Sequence, residues 1–163
     1  MFLSILIPCY NEERLLAKSV EGVLAVLQQS VTKLEIVIVD DASKDRSYEV
    51  ATALAAKYPG VKVLQHAVNQ GKGAALRTAW NAATGDVLCI HDADLEYNPS
   101  DILQMLQLLV KQEADVVFGT RFLSSGAHRV LYFWHSIANK IITLSCNIFT
   151  DLNLTDIECC YKM

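Results

Sequence analysis

Four short apolar runs, each rich in β-branched residues, alternate with helical stretches along this chain. The runs are Phe2–Ile7, Leu34–Val39, Val61–Gln65 and Val87–Ile90, and a fifth, Asp115–Phe118, follows later. Strands that alternate with helices form βαβ units with right-handed crossovers. The pattern therefore predicts an α/β fold whose mainly parallel sheet is flanked by helices.

The intervening segments carry helical signals. Between the first two runs, leucines and valines recur at spacings of three and four, as expected for a helix packed on a sheet. Three further helices are predicted, Ser47–Tyr58 before Pro59-Gly60, Gly73–Ala83 before Thr84-Gly85, and Ile102–Val110 after the helix start Pro99–Asp101. Since no repeat or linker interrupts this alternation, residues 1–163 are expected to form one domain.

Composition agrees with buried strands and limits the partners. Of 163 residues, 52% are hydrophobic and 20% charged, which suits strands covered on both faces. The net charge of −4 gives no reason to expect nucleic-acid binding. Five scattered cysteines show no CxxC pair, and no secretory signal precedes the first strand, so a reducing, cytoplasmic location is expected.

The stretch Val130–Phe149 is predicted to be an aromatic-rich apolar helix. His135, Asn139, Lys140 and Asn147 interrupt it, so it is too polar to be read as a membrane-spanning helix. The simplest interpretation is a helix packed in the core. The alternative is a helix that faces lipid at a membrane surface.

Polar residues follow the first four runs, where the strands of a parallel sheet are predicted to end. Ligands bind at the carboxyl ends of such strands. Three of these four ends carry carboxylates, namely Glu12-Glu13, Asp40-Asp41 and the pair Asp92 and Asp94. Because acids gathered on one rim repel each other, a shared ligand or metal is the simpler explanation.

Asp92 and Asp94 follow the fourth run after one residue, His91, and a single alanine separates them. Hard cations such as Mg²⁺ and Mn²⁺ prefer oxygen ligands and share them with substrate phosphates. The alternative is a solvated strand end or a helix N-cap.

Other motifs have similar pairs of interpretations. Asp40 could accept hydrogen bonds from a nucleobase or ribose, while Ser43 and Asp45 could cap the next helix. Asn69–Gly73 could bring Lys72 and a helix N-terminus to an anion, or be an ordinary turn.

Two arginines and two late acids complete the candidates. Arg121 and Arg129 could clamp a second phosphate or simply be solvated. Asp156 and Glu158 could provide a base or sugar contacts, or belong to an edge strand.

The order of these motifs resembles that of glycosyltransferase family 2, in particular its polyprenyl-phosphate glycosyltransferase branch, which includes enzymes similar to dolichyl-phosphate mannose synthase. The motifs that carry the resemblance cover nearly the whole chain: Ser4–Glu13, Val39–Asp45, Asn69–Gly73, Asp92–Asp94, Asp94–Pro99, Gly119–Phe122 and Leu154–Glu158.

The resemblance implies a GT-A fold, which is Rossmann-like, and a nucleotide-sugar donor with Mg²⁺ or Mn²⁺. By the family pattern Pro8, Tyr10, Glu12 and Asp40 contact the nucleoside, while Asp92, Asp94 and Glu96 serve the metal and diphosphate. Lys72 is assigned to the donor site, and Arg121, with Arg129, to the acceptor phosphate.

The expected reaction is an inverting transfer of a hexose from a UDP- or GDP-sugar to a polyprenyl phosphate, at the cytoplasmic membrane face. A homo-oligomer is a further possible arrangement. Two alternatives are a transferase acting on a sugar hydroxyl, with Asp156 as the base, and a catalytically silent nucleotide-sugar-binding domain. Family members generally continue beyond the segment matching Cys160–Lys162, so the chain is expected to lack the C-terminal part of the family.

Overall fold

The computed structural model describes residues 1–120 and 133–163. Four parallel strands form a sheet of order β3-β2-β1-β4, and they are β1 (Phe2–Cys9), β2 (Lys33–Asp40), β3 (Val61–Gln65) and β4 (Val87–Ile90). The helices of the described residues are α1 (Leu16–Leu27), α2 (Ser47–Lys57), α3 (Lys72–Ala82), α4 (Ser100–Val110) and α5 (Phe133–Thr150).

The sheet is covered on both faces because side chains alternate along its strands. One face of β1, with Leu3, Ile5 and Ile7, joins the larger core together with buried residues of α1, α2 and α4. Leu6 points the other way and packs with β2 residues against the alanines of α3. The predicted α/β fold is therefore confirmed.

The predicted strand and helix positions agree closely with the structure. The bounds of β3 and β4 are those expected from the sequence, whereas β1 continues to Cys9 and β2 starts at Lys33 and continues to Asp40. Cys9 pairs with Asp40 in the register of these two strands. The residues that follow β1 and β2 therefore leave the sheet at the same level.

The predicted fifth strand, Asp115–Phe118, is wrong as a strand. The segment forms an isolated antiparallel bridge between Phe118 and Lys162, with hydrogen bonds between Val117 and Met163 in both directions. The backbone N–H of Ile90 donates to the carbonyl of Lys162 at 3.0 Å. The last residues of the chain thus lie between β4 and this segment, and the pairing they provide is too short for a strand.

The expectation that the aromatic-rich helix packs in the core is also wrong. Within the described residues, no side chain of α5 belongs to either hydrophobic core. The helix is instead attached by hydrogen bonds to the loop that follows it, where Asn147 bonds both backbone groups of Leu154. None of the helices in the described part of the chain is long and apolar enough to cross a membrane.

Candidate active site

A cleft of about 400 Å³ opens at the carboxyl ends of β1, β2 and β4, beside the start of α3. Its lining includes six of the residues predicted from the sequence, Pro8, Tyr10, Glu12, Lys72, Asp92 and Asp94. This position agrees with the rule that ligands bind beyond the strand ends of a parallel sheet.

The loop after β1 is fixed by side chains of the loop after β2. The backbone N–H groups of Asn11 and Glu12 donate to the hydroxyls of Ser43 (3.0 Å) and Ser47 (2.7 Å). The N–H of Glu13 donates to Asp45, which also accepts the N–H of Ser47 at 2.9 Å. The N-cap of α2 is Arg46 rather than Ser43 or Asp45, although Asp45 bonds the N–H of the first helical residue. Ser43 instead holds the neighbouring loop. These bonds set the position of the Glu12 carboxylate at the cleft.

Asp41 clamps the turn before α3. Its carboxylate accepts the backbone N–H groups of Gln70 (3.0 Å) and Gly71 (2.7 Å) and contacts Nδ1 of His66 at 2.7 Å. Burial would raise the pKa of Asp41, but these hydrogen bonds outweigh it and lower the pKa. Asp41 therefore determines where the predicted anion-binding turn lies relative to the sheet.

Asp40 is wholly buried at the end of β2 and does not line the cleft. Its Oδ2 accepts hydrogen bonds from the backbone of Ser43 and the side chain of Gln65. Its Oδ1 has no hydrogen-bond partner among the described residues. Because an unsatisfied buried carboxylate oxygen is costly, this atom marks a place where a donor is missing.

Three carboxylates and one lysine meet in the cleft. Burial raises the pKa of Glu12, and the negative charges of Asp94, Asp45 and Asp92 raise it further. Lys72 places its Nζ 2.6 Å from Oδ2 of Asp92. Asp94 is exposed, and its Oδ1 accepts the backbone N–H of Glu96. Glu96 is also exposed but does not line the cleft.

The carboxylate oxygens of the cleft suit a divalent cation whose remaining ligands come from the substrate. Asp92 and Asp94 offer hard oxygen atoms, and a cation would offset the repulsion between these carboxylates and Glu12. Residues 1–120 and 133–163 contain no preformed group of three metal-binding side chains. Mg²⁺ and Mn²⁺ sites with one or two carboxylates usually take their other ligands from water and phosphate.

The remaining predicted residues lie elsewhere. Asp156 is buried, does not line the cleft, and accepts a 2.7 Å hydrogen bond from Asn139 of α5. Arg121 and Arg129 lie outside the described residues.

The residues that form hydrogen bonds with Asp92 and with its neighbour His91 were not identified from the sequence. The N–H of Asp92 donates to Sγ of Cys160 at 3.2 Å. Next to it His91 is buried between the Ser19 hydroxyl (2.8 Å) and the Tyr161 hydroxyl (3.1 Å), and burial lowers its pKa to about 4. Since 70 residues separate His91 from Tyr161, no local pattern could have signalled this contact.

The parallel sheet flanked by helices is the fold of a GT-A glycosyltransferase, and the Asp-x-Asp pair lies just after its strand β4. The chain belongs to glycosyl transferase family 2, whose family model matches residues 4–163.

Two curated relatives are similar over most of the chain. A dolichol-phosphate mannosyltransferase of Pyrococcus furiosus is 34% identical, covering 86% of this chain and 39% of the relative. An undecaprenyl-phosphate 4-deoxy-4-formamido-L-arabinose transferase of Serratia proteamaculans is 32% identical, covering 96% of this chain and 46% of the relative. The chain thus spans less than half the length of either relative.

Two solved structures share the fold. Glucosyl-3-phosphoglycerate synthase from Mycobacterium tuberculosis, in complex with Mn²⁺, UDP and phosphoglyceric acid, matches with a TM-score of 0.72 at 17% identity, over 98% of this chain and 54% of that one. A mannosyltransferase from Pyrobaculum calidifontis, in complex with GDP-mannose and Mn²⁺, matches with a TM-score of 0.62 at 26% identity, over 70% of this chain and 34% of that one.

Proposed function

We propose that this chain provides the donor site for a metal-dependent, inverting transfer of a hexose from a UDP- or GDP-sugar to a polyprenyl phosphate. The observation that carries the proposal is the meeting of Glu12, Asp92 and Asp94 with Lys72 in one cleft. The acceptor class is supported by the relatives named for dolichol phosphate and undecaprenyl phosphate. Because the chain spans under half of each of these relatives, the activity of the whole protein is part of the proposal.

Asp92 and Asp94 are the residues that would hold the cation, Mg²⁺ or Mn²⁺. The Pyrobaculum structure with GDP-mannose and Mn²⁺ supports a divalent cation in general. When bound, the cation would supply charge neutralisation for the departing diphosphate. Lys72, beside Asp92, would add a positive charge for the diphosphate.

The nucleoside half of the donor is assigned to the ends of β1 and β2. Pro8, Tyr10 and Glu12 line the cleft there. Oδ1 of Asp40, which lacks a partner among the described residues, would accept an N–H of the base or a ribose hydroxyl after a small local shift.

The chemical step needs no strong base on the protein. A phosphate oxygen of the acceptor, already anionic near neutral pH, forms a bond to the anomeric carbon. The bond from that carbon to the diphosphate breaks, and its electron pair leaves with the nucleoside diphosphate. One displacement inverts the anomeric configuration and leaves no covalent enzyme intermediate. Arg121 is proposed to contact the acceptor phosphate.

Calorimetry with UDP and GDP, each with and without Mn²⁺, tests the donor site. Metal-dependent binding of one nucleotide is expected, and Asp94→Asn is expected to weaken it at least about tenfold by removing a charged ligand. Lack of binding by both nucleotides would contradict the proposal. Sugar transfer to a polyprenyl phosphate is then measured, and binding without transfer would support the silent nucleotide-sugar-binding domain instead.

The transferase acting on a sugar hydroxyl is distinguished by its need for a base. Asp156→Asn is expected to leave phosphate-directed transfer within a few-fold of the unchanged chain, because Asp156 does not line the cleft. Loss of nearly all transfer with nucleotide affinity retained would favour the hydroxyl acceptor.

A further inference from the structure

His91 is a buried polar residue that lies directly before the first carboxylate of the Asp-x-Asp pair. It follows β4, is 1% exposed, and does not line the cleft. Its backbone N–H donates to the carbonyl of Leu6 at 3.0 Å, so the hydrogen bonding to β1 continues one residue beyond the end of β4. Burying a polar ring is costly unless its nitrogens are hydrogen-bonded. The partners of the ring therefore show which parts of the fold this side chain joins.

The ring of His91 joins two segments that are far apart in the sequence. Its Nε2 lies 2.8 Å from the hydroxyl of Ser19, in the first turn of α1, and its Nδ1 lies 3.1 Å from the hydroxyl of Tyr161. A neutral imidazole has one donor and one acceptor nitrogen, and each hydroxyl can take either role, so both nitrogens are satisfied. Ser19 and Tyr161 are 1% and 2% exposed, so both hydrogen bonds lie in the interior.

On one side of the ring, the hydrogen bond to Ser19 leads to the residue that carries the Glu12 carboxylate. The backbone N–H of Ser19 donates to the carbonyl of Leu15 at 2.9 Å, and the N–H of Leu15 donates to the carbonyl of Glu12 at 3.1 Å. Glu12 lines the cleft. The first turn of α1 and Glu12 are therefore joined by a continuous series of hydrogen bonds.

On the other side of the ring, Tyr161 belongs to a segment that is bonded to Asp92. The N–H of Asp92 donates to Sγ of Cys160 at 3.2 Å, and the N–H of Cys160 donates to the hydroxyl of Tyr97 at 3.2 Å. The rings of Tyr97 and Tyr161 pack with their centroids 5.0 Å apart. This segment therefore contacts the backbone of Asp92 and the ring of His91 together.

We propose that His91 is a positioning residue that sets the separation of the Glu12 and Asp92 carboxylates across the donor site. The inference rests on the proposed function, in which a divalent cation binds beside these carboxylates. Such a cation requires defined ligand geometry, so its affinity depends on where the carboxylates are held. Because His91 does not line the cleft, it acts through Ser19 and Tyr161. His91 should therefore control how strongly the cation and the nucleotide reinforce each other's binding.

The factor by which Mn²⁺ raises nucleotide affinity, here called the Mn²⁺ ratio, measures this effect. Calorimetry on the full chain gives the affinities for UDP and GDP, each with and without Mn²⁺, and the ratio for the nucleotide that binds is compared among variants. His91→Leu, which removes both ring hydrogen bonds, is expected to lower the Mn²⁺ ratio at least about tenfold. The nucleotide affinity without Mn²⁺ is expected to stay within about twofold, because the nucleoside contacts are unchanged.

Variants that remove a single hydroxyl keep the test informative if His91→Leu does not fold. Ser19→Ala and Tyr161→Phe each remove one of the two hydrogen bonds and retain most of the packing, so each is expected to lower the Mn²⁺ ratio about fivefold. His91→Gln places an amide near the position of Nε2 and can keep the bond to Ser19. Adding Tyr161→Phe to His91→Gln should therefore cause no further loss.

Val23→Ala is the matched control. Val23 is wholly buried on α1, one turn after Ser19, and belongs to the larger core. Its truncation should lower the melting temperature without removing a hydrogen bond, and the Mn²⁺ ratio should be unchanged. Melting temperatures are measured on the same samples, because a merely structural role of His91 would lower the melting temperature and leave the Mn²⁺ ratio as it is.

Two results would overturn the inference while the proposed function stands. The first is an unchanged Mn²⁺ ratio in Ser19→Ala and Tyr161→Phe, whatever their melting temperatures. The second is an equal fall of the ratio in Val23→Ala, because the effect would then come from general loosening of α1. If the unchanged chain binds neither nucleotide more tightly with Mn²⁺, the proposed function fails and this inference fails with it. The unchanged chain therefore distinguishes the two failures.

Discussion

At the level of single residues, Lys72 and Asp92 form an ion pair that a cation bound to Asp92 would break. Their Nζ and Oδ2 atoms are 2.6 Å apart, and the Asp92 side chain is the less exposed of the two. A divalent cation that binds Asp92 would displace the lysine ammonium. Lys72, which is more exposed and flexible, would then be available to the diphosphate.

Lys72→Met is expected to change the two affinities in opposite directions. Mn²⁺ binding without nucleotide should strengthen a few-fold, because Asp92 loses its competing partner, and nucleotide binding with Mn²⁺ should weaken about tenfold. Calorimetry measures both, with Lys18→Met, an exposed lysine on α1, as the control. If both affinities weaken, or neither does, Lys72 does not pass from Asp92 to the diphosphate when the cation binds.

Glu35 on β2 is the centre of a buried polar network that joins β2 to β1, to β3 and to the segment after α3. Its carboxylate accepts the Ser4 hydroxyl at 2.6 Å and both the N–H (2.9 Å) and hydroxyl (3.0 Å) of Thr84, and it pairs with Lys62. Burial alone would raise the pKa of Glu35, but the hydrogen bonds from Lys62, Ser4 and Thr84 outweigh it and lower the pKa to about 2.

This network predicts a pH dependence of folding. Because the folded pKa lies below the unfolded value of 4.5, the stabilisation is complete above that value and is lost as the pH falls toward about 2. The full effect is about 3 kcal/mol. Urea unfolding from about pH 6 to about pH 2 measures it. Glu35→Gln should remove this contribution to the pH dependence of the free energy of unfolding. Glu49→Gln, at an exposed position of α2, should retain it.

At the scale of elements, the turn before α3 depends on one glycine. Gly71 has φ +88° and ψ 160°, a combination essentially restricted to glycine, and its N–H is the one that Asp41 accepts at 2.7 Å. Gly73, two residues later, lies within the first turn of α3 in open space. The two glycines of Asn69–Gly73 therefore differ: the backbone angles of Gly71 require glycine, whereas Gly73 lies in a helical turn with open space around it.

Gly71→Ala and Gly73→Ala are expected to have opposite effects on the free energy of unfolding. The first should destabilise the fold by about 1–3 kcal/mol through backbone strain. The second should stabilise it by up to about 0.5–1 kcal/mol, since alanine favours the helix. Chemical denaturation measures both. Equal effects in the two variants would show that the turn relaxes without cost.

Across the entire fold, contacts distant in sequence matter most where residues 161–163 complete the edge of the sheet. Tyr161 packs its ring on His91, with centroids 5.7 Å apart, and on Tyr97 at 5.0 Å. Lys162 bonds the backbone of Ile90, and Met163 bonds that of Val117. Residues distant in sequence thereby support the strand that presents Asp92.

Tyr161→Ala is expected to lower the free energy of unfolding by about 3–5 kcal/mol, the usual cost of removing a large buried aromatic side chain. Tyr48→Ala, on an exposed side of α2, is the control and should cost under about 1 kcal/mol. Thermal unfolding distinguishes the two. Similar small losses in both variants would mean that the edge of the sheet does not depend on Tyr161.

Local patterns were sufficient for the elements whose packing follows the chain order. The positions of β3 and β4 and the starts of α2 and α4 could be read from β-branched runs, periodic leucines and helix-start residues. The cleft residues Glu12, Lys72, Asp92 and Asp94 could be found as well, because the parallel order of the strands places their ends together. The same rules failed for Asp115–Phe118, where the partner is the distant Met163.

The βαβ order, the acidic strand ends and the family of the chain could be read from the amino-acid sequence, since each is encoded over short distances. That Asp41 clamps the turn before α3 and that Asp156 is buried under α5 depends on long-range contacts. Only the tertiary structure decided that the apolar side of α5 faces outward, whereas the pattern alone had favoured a core helix. The physical reason is that periodicity identifies an apolar face but does not identify its neighbour, because the neighbour is set by contacts between distant segments.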